Sequence, residues 1–71
     1  MTYQERLRAL REDLDYSQTE IANILGVAQT TYSQYELGKR SIPVEYIITL
    51  CQFYNISADY VLGLSPKKKK L

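Results

Sequence analysis

The sequence predicts an all-α protein, a compact five-helix bundle, and three observations predict it. Apolar residues recur at helical spacing, and no segment shows the strict alternation of a strand. Capping residues and glycines punctuate the chain at short intervals, marking starts and stops. Of 71 residues, 45% are hydrophobic and seven are tyrosine. That is ample for one core, in a chain near the lower size limit for folding without staples.

The elements follow in order. At about 100° per residue, Tyr3, Leu7, Leu10 and Leu14 form one stripe of a first helix over Tyr3–Leu14, with Arg11 on its flank. Asp15-Tyr16 breaks that pattern. Ser17-Gln18-Thr19-Glu20 is an S-x-x-E capping box and opens a second helix over Gln18–Leu25, which buries Ile21, Ala22 and Leu25. Gly26 stops it where a left-handed residue is expected. After Val27-Ala28 a third helix runs over Gln29–Glu36 and ends at Leu37-Gly38. Pro43 suits a first helical position, so the fourth helix is expected over Pro43–Tyr54. Its polar residues (Glu45, Thr49, Gln52) fill only a narrow face, which predicts a central helix packed on more than one side. Asn55 suits its stop, Ser57 caps a short fifth helix through Leu62, and Gly63 ends it.

Gln18–Tyr35 carries the chemistry. Two short helices are joined by a three-residue turn opened by glycine, with Ala22 small where the helices meet. Ile21, Leu25, Val27, Tyr32 and Tyr35 supply a shared core. This is helix-turn-helix geometry, whose second helix can lie in a major groove. Tyr32 and Tyr35 fall within about 60° of each other and face inward. The opposite arc holds Thr30, flanked by Ser33 and Gln34, with Gln29 at its edge. An uncharged arc is unusual for a merely solvated face. It suits base edges, because glutamine can pair with adenine N6 and N7, and threonine offers a hydroxyl and a methyl. The plainer reading is a short helix with a polar surface, and from this helix alone the two stand about even.

Charge and composition bound the partners. The net charge of +1 hides four lysines at Lys67–Lys70; residues 1–64 hold five basic against eight acidic residues. An acidic body argues mildly against a non-specific nucleic-acid coat and leaves room for a binder that concentrates a few cations on one surface. With no histidine and a lone cysteine, neither a zinc site nor an imidazole base is expected, nor any cofactor. Cys51, on an apolar face, reads as a structural thiol. Glu12, Asp13 and Asp15 read as a solvated patch. The longest apolar runs are too short for a membrane span, and no signal-peptide pattern opens the chain, so no membrane association is expected and a cytoplasmic location is.

Residues 7–64 resemble the Cro/cI-type (XRE-like) helix-turn-helix repressors of bacteria and phage. The resemblance is carried by Leu7-Arg8-Ala9-Leu10-Arg11, Ser17-Gln18-Thr19-Glu20-Ile21-Ala22, Gly26-Val27, Ser33-Gln34-Tyr35-Glu36-Leu37-Gly38-Lys39-Arg40, Ile42-Pro43, and Ile56 through Gly63. It implies a lambda-repressor-like bundle, a DNA-binding domain over 1–64 and a flexible basic tail over 65–71. By position it implies that Gln29, Thr30, Ser33 and Gln34 face bases or the adjoining backbone. Gln18, Lys39 and Arg40 would contact phosphates, Gln18 also bracing the reading helix. Arg11 and Glu36 would form a partly buried salt bridge. Two positions depart from the pattern: Ala28, where a Ser or Thr cap is common, and Tyr32, bulkier than the usual aliphatic.

The function expected is sequence-specific transcriptional regulation, as a repressor rather than an enzyme. The partner would be double-stranded DNA carrying a pseudo-palindromic operator. Self-association would form on DNA only, or through the fourth and fifth helices at Tyr46, Phe53 or Val61. The rival expectation is a protein-interaction module of the same fold, of antitoxin or anti-repressor type, with weak or no DNA binding.

Overall fold

The computed structural model describes residues 2–70; Met1 and Leu71, the outermost residues of the expected 1–64 domain and 65–71 tail, lie outside them. Five helices follow one another: α1 (Tyr3–Asp13), α2 (Gln18–Leu25), α3 (Gln29–Glu36), α4 (Val44–Tyr54) and α5 (Ala58–Val61). Among the described residues there is no strand, and no helix is long and apolar enough to cross a membrane.

Local chemistry sets the boundaries. Two reciprocal capping boxes start α1 and α2. Glu5 N–H donates to Thr2 Oγ1 at 3.2 Å while Glu5 Oε1 accepts from Thr2 N–H at 2.9 Å. Ser17 and Glu20 repeat the arrangement, both bonds at 3.0 Å. Each box satisfies two of the amides that a helix start leaves without an intrahelical partner. Gly26, at φ 74°, ends α2 in the left-handed region. Asn55, at φ 56°, ends α4 the same way. Ser57 caps α5 by accepting from Tyr60 N–H at 3.3 Å.

The fourth helix differs from the expectation in two ways. Pro43 is its extended N-cap residue (φ −58°, ψ 145°) and not its first helical one. Proline fixes φ but leaves ψ free, so its ring suits either place. The helix is also buried on one side only. Ile47, Leu50, Cys51 and Tyr54 enter the core, whereas Val44 is 60% and Ile48 50% exposed. The rest of the bundle packs only on the side of Ile47, Leu50, Cys51 and Tyr54, so the outer side of α4 is left uncovered. Leu14, expected in the α1 stripe, sits past the helix end and is exposed for the same want of cover.

The core draws on every helix. Leu7 and Leu10 of α1 meet Ile21, Ala22 and Leu25 of α2, Tyr32 and Tyr35 of α3, the buried side of α4, and Val61 of α5. Tyr32, wholly buried, meets Tyr35 edge-on with ring centroids 6.4 Å apart. Arg6 lies over the Tyr60 ring at 4.6 Å and ties α5 to α1. Beyond Leu64 the chain turns back: the Lys69 carbonyl accepts from Ser57 N–H at 2.7 Å, and Lys68 Nζ lies 3.7 Å from Asp13.

Candidate nucleic-acid interface

The packing of α3 decides what its other side can do. Tyr32 and Tyr35 are 0% and 6% exposed and anchor the helix from within. That rotation leaves Gln29 and Thr30 exposed, and Ser33 and Gln34 half-buried, on the outward arc. No side-chain hydrogen bond among the described residues holds Thr30, Ser33 or Gln34, so their polar atoms remain free for an incoming partner. Tyr32, bulkier than the aliphatic expected there, is wholly buried in the core.

Past the end of α3, Gly38 turns the chain at φ 75°. The Gln34 carbonyl then accepts from Lys39 N–H at 3.0 Å and from Arg40 N–H at 3.3 Å. These bonds hold the Lys39-Arg40 loop against the end of the helix while both side chains stay exposed. Two cations thus flank an uncharged ridge. At the start of α3, Ala28 supplies no side-chain cap.

Beneath the ridge lies a connected set of polar groups. Arg11 Nε donates to Glu36 Oε2 at 2.8 Å and Arg11 Nη2 to Glu36 Oε1 at 3.1 Å. The two side chains are 11% and 3% exposed, and this two-point geometry is the strongest form of ion pair. Arg11 Nη1 also donates to the Tyr16 carbonyl at 2.9 Å, which fastens the α1–α2 connection. Gln18 Nε2 donates to Glu36 Oε1 at 3.1 Å, and Gln29 Nε2 donates to Gln18 Oε1 at 2.7 Å. One chain of hydrogen bonds therefore runs from Arg11 on α1 through Glu36 and Gln18 to Gln29 at the surface. The links from Glu36 to Gln18 and from Arg11 to Tyr16 leave no pattern in the sequence, because they join residues distant in the chain or a side chain to a carbonyl.

The electrostatics agree with the geometry. Burial alone would raise the Glu36 carboxyl, but hydrogen bonds from Arg11 and Gln18, with the Tyr32 hydroxyl beside it, outweigh burial and hold it below its ordinary value. The hydrogen bond to Glu36 raises the Arg11 guanidinium further. Burial, then the neighbouring Glu36 charge, pushes the phenols of Tyr32 and Tyr54 well above the usual range. No cluster of three or more metal-binding side chains occurs among the described residues. Val61, expected among the surfaces for self-association, is wholly buried and cannot serve. It belongs to the core cluster, where the single turn of α5 meets both α4 and α1.

Known proteins resemble this chain throughout. A family model described as helix-turn-helix matches residues 7–61. The HTH-type transcriptional regulator ImmR of Bacillus subtilis (strain 168) is 33% identical over 70 residues, which is 99% of this chain and 55% of that protein. The cryptic phage CTXphi transcriptional repressor RstR of Vibrio cholerae is 37% identical over 54 residues, covering 76% of this chain and 49% of that one. The crystal structure of the P22 c2 repressor protein in complex with synthetic operator 9T aligns with a TM-score of 0.77 and 29% identity. That match covers 87% of this chain and 94% of the other. The chain spans about half the length of the curated relatives it matches.

Proposed function

The chain belongs to the helix-turn-helix family of the Cro/cI (XRE-like) kind, and from that membership we propose that it binds specific double-stranded DNA and regulates transcription as a repressor. The observation that carries this reading is the outward ridge of α3, with Gln29 and Thr30 exposed while the tyrosines on the same helix are buried. In this reading α3 lies in the major groove. Gln29, Thr30, Ser33 and Gln34 meet base edges, and Gln18, Lys39 and Arg40 meet phosphates, which set position without reading sequence. Residues 1–64 form the binding unit, and the lysines of 65–71 add salt-sensitive attraction. The exposed Lys39 and Arg40 favour DNA over a protein partner. Nothing in the set of side chains assigns an enzymatic step, and the reading places the domain in the cytoplasm.

A single module of this kind buries only about 600–1,000 Å² on DNA. Two copies on half-sites about 34 Å apart would provide firm occupancy, and Phe53, 39% exposed, and half-buried Tyr46 are available for contact between them.

Selection from random duplex DNA followed by gel shift tests the reading. Gln29→Ala and Gln34→Ala should each lose about 1–3 kcal/mol of discrimination at one base pair per half-site. Variants that both keep the wild-type preference would remove α3 from the reading role.

A further inference from the structure

We propose that Glu36 decides which base Gln29 reads, by fixing the direction of two side-chain amides in series. The inference rests on the DNA-reading role proposed above and deepens it. A carboxylate accepts hydrogen bonds and cannot donate one. Glu36 Oε1 is 3.1 Å from the Gln18 amide, so Gln18 must turn its NH2 toward Glu36 and its oxygen away. That oxygen is 2.7 Å from the Gln29 amide, so Gln29 must also turn its NH2 inward. Gln29 then keeps one N–H and its carbonyl oxygen for a base.

That pair of groups distinguishes purines. In the major groove adenine presents a donor at N6 and an acceptor at N7, whereas guanine presents two acceptors, O6 and N7. One donor beside one acceptor fits adenine; guanine demands two donors. A glutamine with no such brace can turn its amide over and offer its two N–H groups. Here the reversal is blocked from within. Arg11 grips both oxygens of Glu36 at 2.8 and 3.1 Å, and the carboxylate is 3% exposed. Hydrogen bonds from Arg11 and Gln18 hold the carboxyl below its ordinary value against the raising effect of burial, so it stays an acceptor at neutral pH. Glu36 touches no base in this scheme. It is a positioning residue that acts through Gln18.

The relay can be reversed at its middle link. Lysine offers only donors, so Gln18→Lys keeps a partner for Glu36 while forcing Gln29 to face it with oxygen, which frees both N–H groups. Gln18→Met removes the relay without replacing it. Selection from random duplex DNA would be run on the full chain and on both variants. The Gln29 position is identified as the one whose preference Gln29→Ala erases. The wild type is expected to enrich adenine there by about fivefold or more over guanine. Gln18→Lys should enrich guanine at that position, and Gln18→Met should lose the choice between the two purines. Preferences at the other positions should stay unchanged. Variants that select the wild-type motif, with affinity altered uniformly as a lost phosphate contact would alter it, overturn the relay. A wild-type chain that selects no motif overturns the DNA-reading role itself.

Discussion

At the residue scale, Glu36 has the most consequences for its size. It bonds Arg11 and Gln18 at once, and its side chain is 3% exposed. Removing one partner of such a pair leaves a buried charge without compensation, at a cost of about 3–5 kcal/mol. Its titration yields a second expectation. The folded-state carboxyl lies below its ordinary value of 4.5, so the unfolded chain takes up the proton first as acid is added. The stability Glu36 contributes is therefore full above about pH 4.5 and fades as pH falls through the folded-state value. Urea unfolding of the wild type and Glu36→Gln across that range checks this. The gap between the two should be widest near neutrality and narrow in acid, and a gap independent of pH would contradict the account.

At the scale of elements, α3 combines a firm interior with an uncapped beginning. Helices α1, α2 and α5 each start on a capping side chain, whereas Ala28 leaves α3 without one. The Ala28 backbone is already extended (φ −69°, ψ 150°), the conformation an N-cap residue needs. Ala28→Ser should therefore stabilise the chain by about 1 kcal/mol, read as a higher urea midpoint with unchanged slope. A neutral or lower midpoint would mean that the helix start is satisfied in some other way. This level of organisation was also the most legible in the amino-acid order. Capping serines and turn glycines act on their immediate surroundings, so five helices and the stops at Gly26, Asn55 and Gly63 could be read directly. The Thr2–Glu5 box has the same local pattern, but the apolar stripe that follows it is the stronger signal at that end of the chain. Pro43, expected as the first helical residue, is the N-cap instead, because both places suit its ring. The exposure of Val44 and Ile48, the burial of Val61 and the link from Glu36 to Gln18 depend on which helices meet in space, and no local pattern encodes that. For the candidate site, the inward tyrosines and the outward arc followed from angular spacing alone, whereas the hydrogen bonds beneath Gln29 required the fold.

For the whole molecule, the distribution of charge matters more than its sum. Lys39 and Arg40 stand exposed beside the ridge of α3, on a body whose residues 1–64 are net acidic. Binding should therefore depend on a few local cations rather than on a general positive field, which makes each of them count. Lys39→Ala should weaken binding to all sequences alike and lower the slope of log affinity against log salt by about 0.9. A motif-dependent loss at unchanged slope would instead make Lys39 a base reader.

The turn between α2 and α3 has a consequence for how freely this sequence can drift. Gly26 bends the chain at φ 74°, yet nothing lies within 4 Å of where a Cβ would stand. Only the backbone angle is demanded there, not empty space. Asparagine tolerates that angle, and Asn55 already adopts it at the end of α4. The hinge that aims α3 is thus specified by a dihedral rather than by space, and asparagine is the replacement that would strain it least.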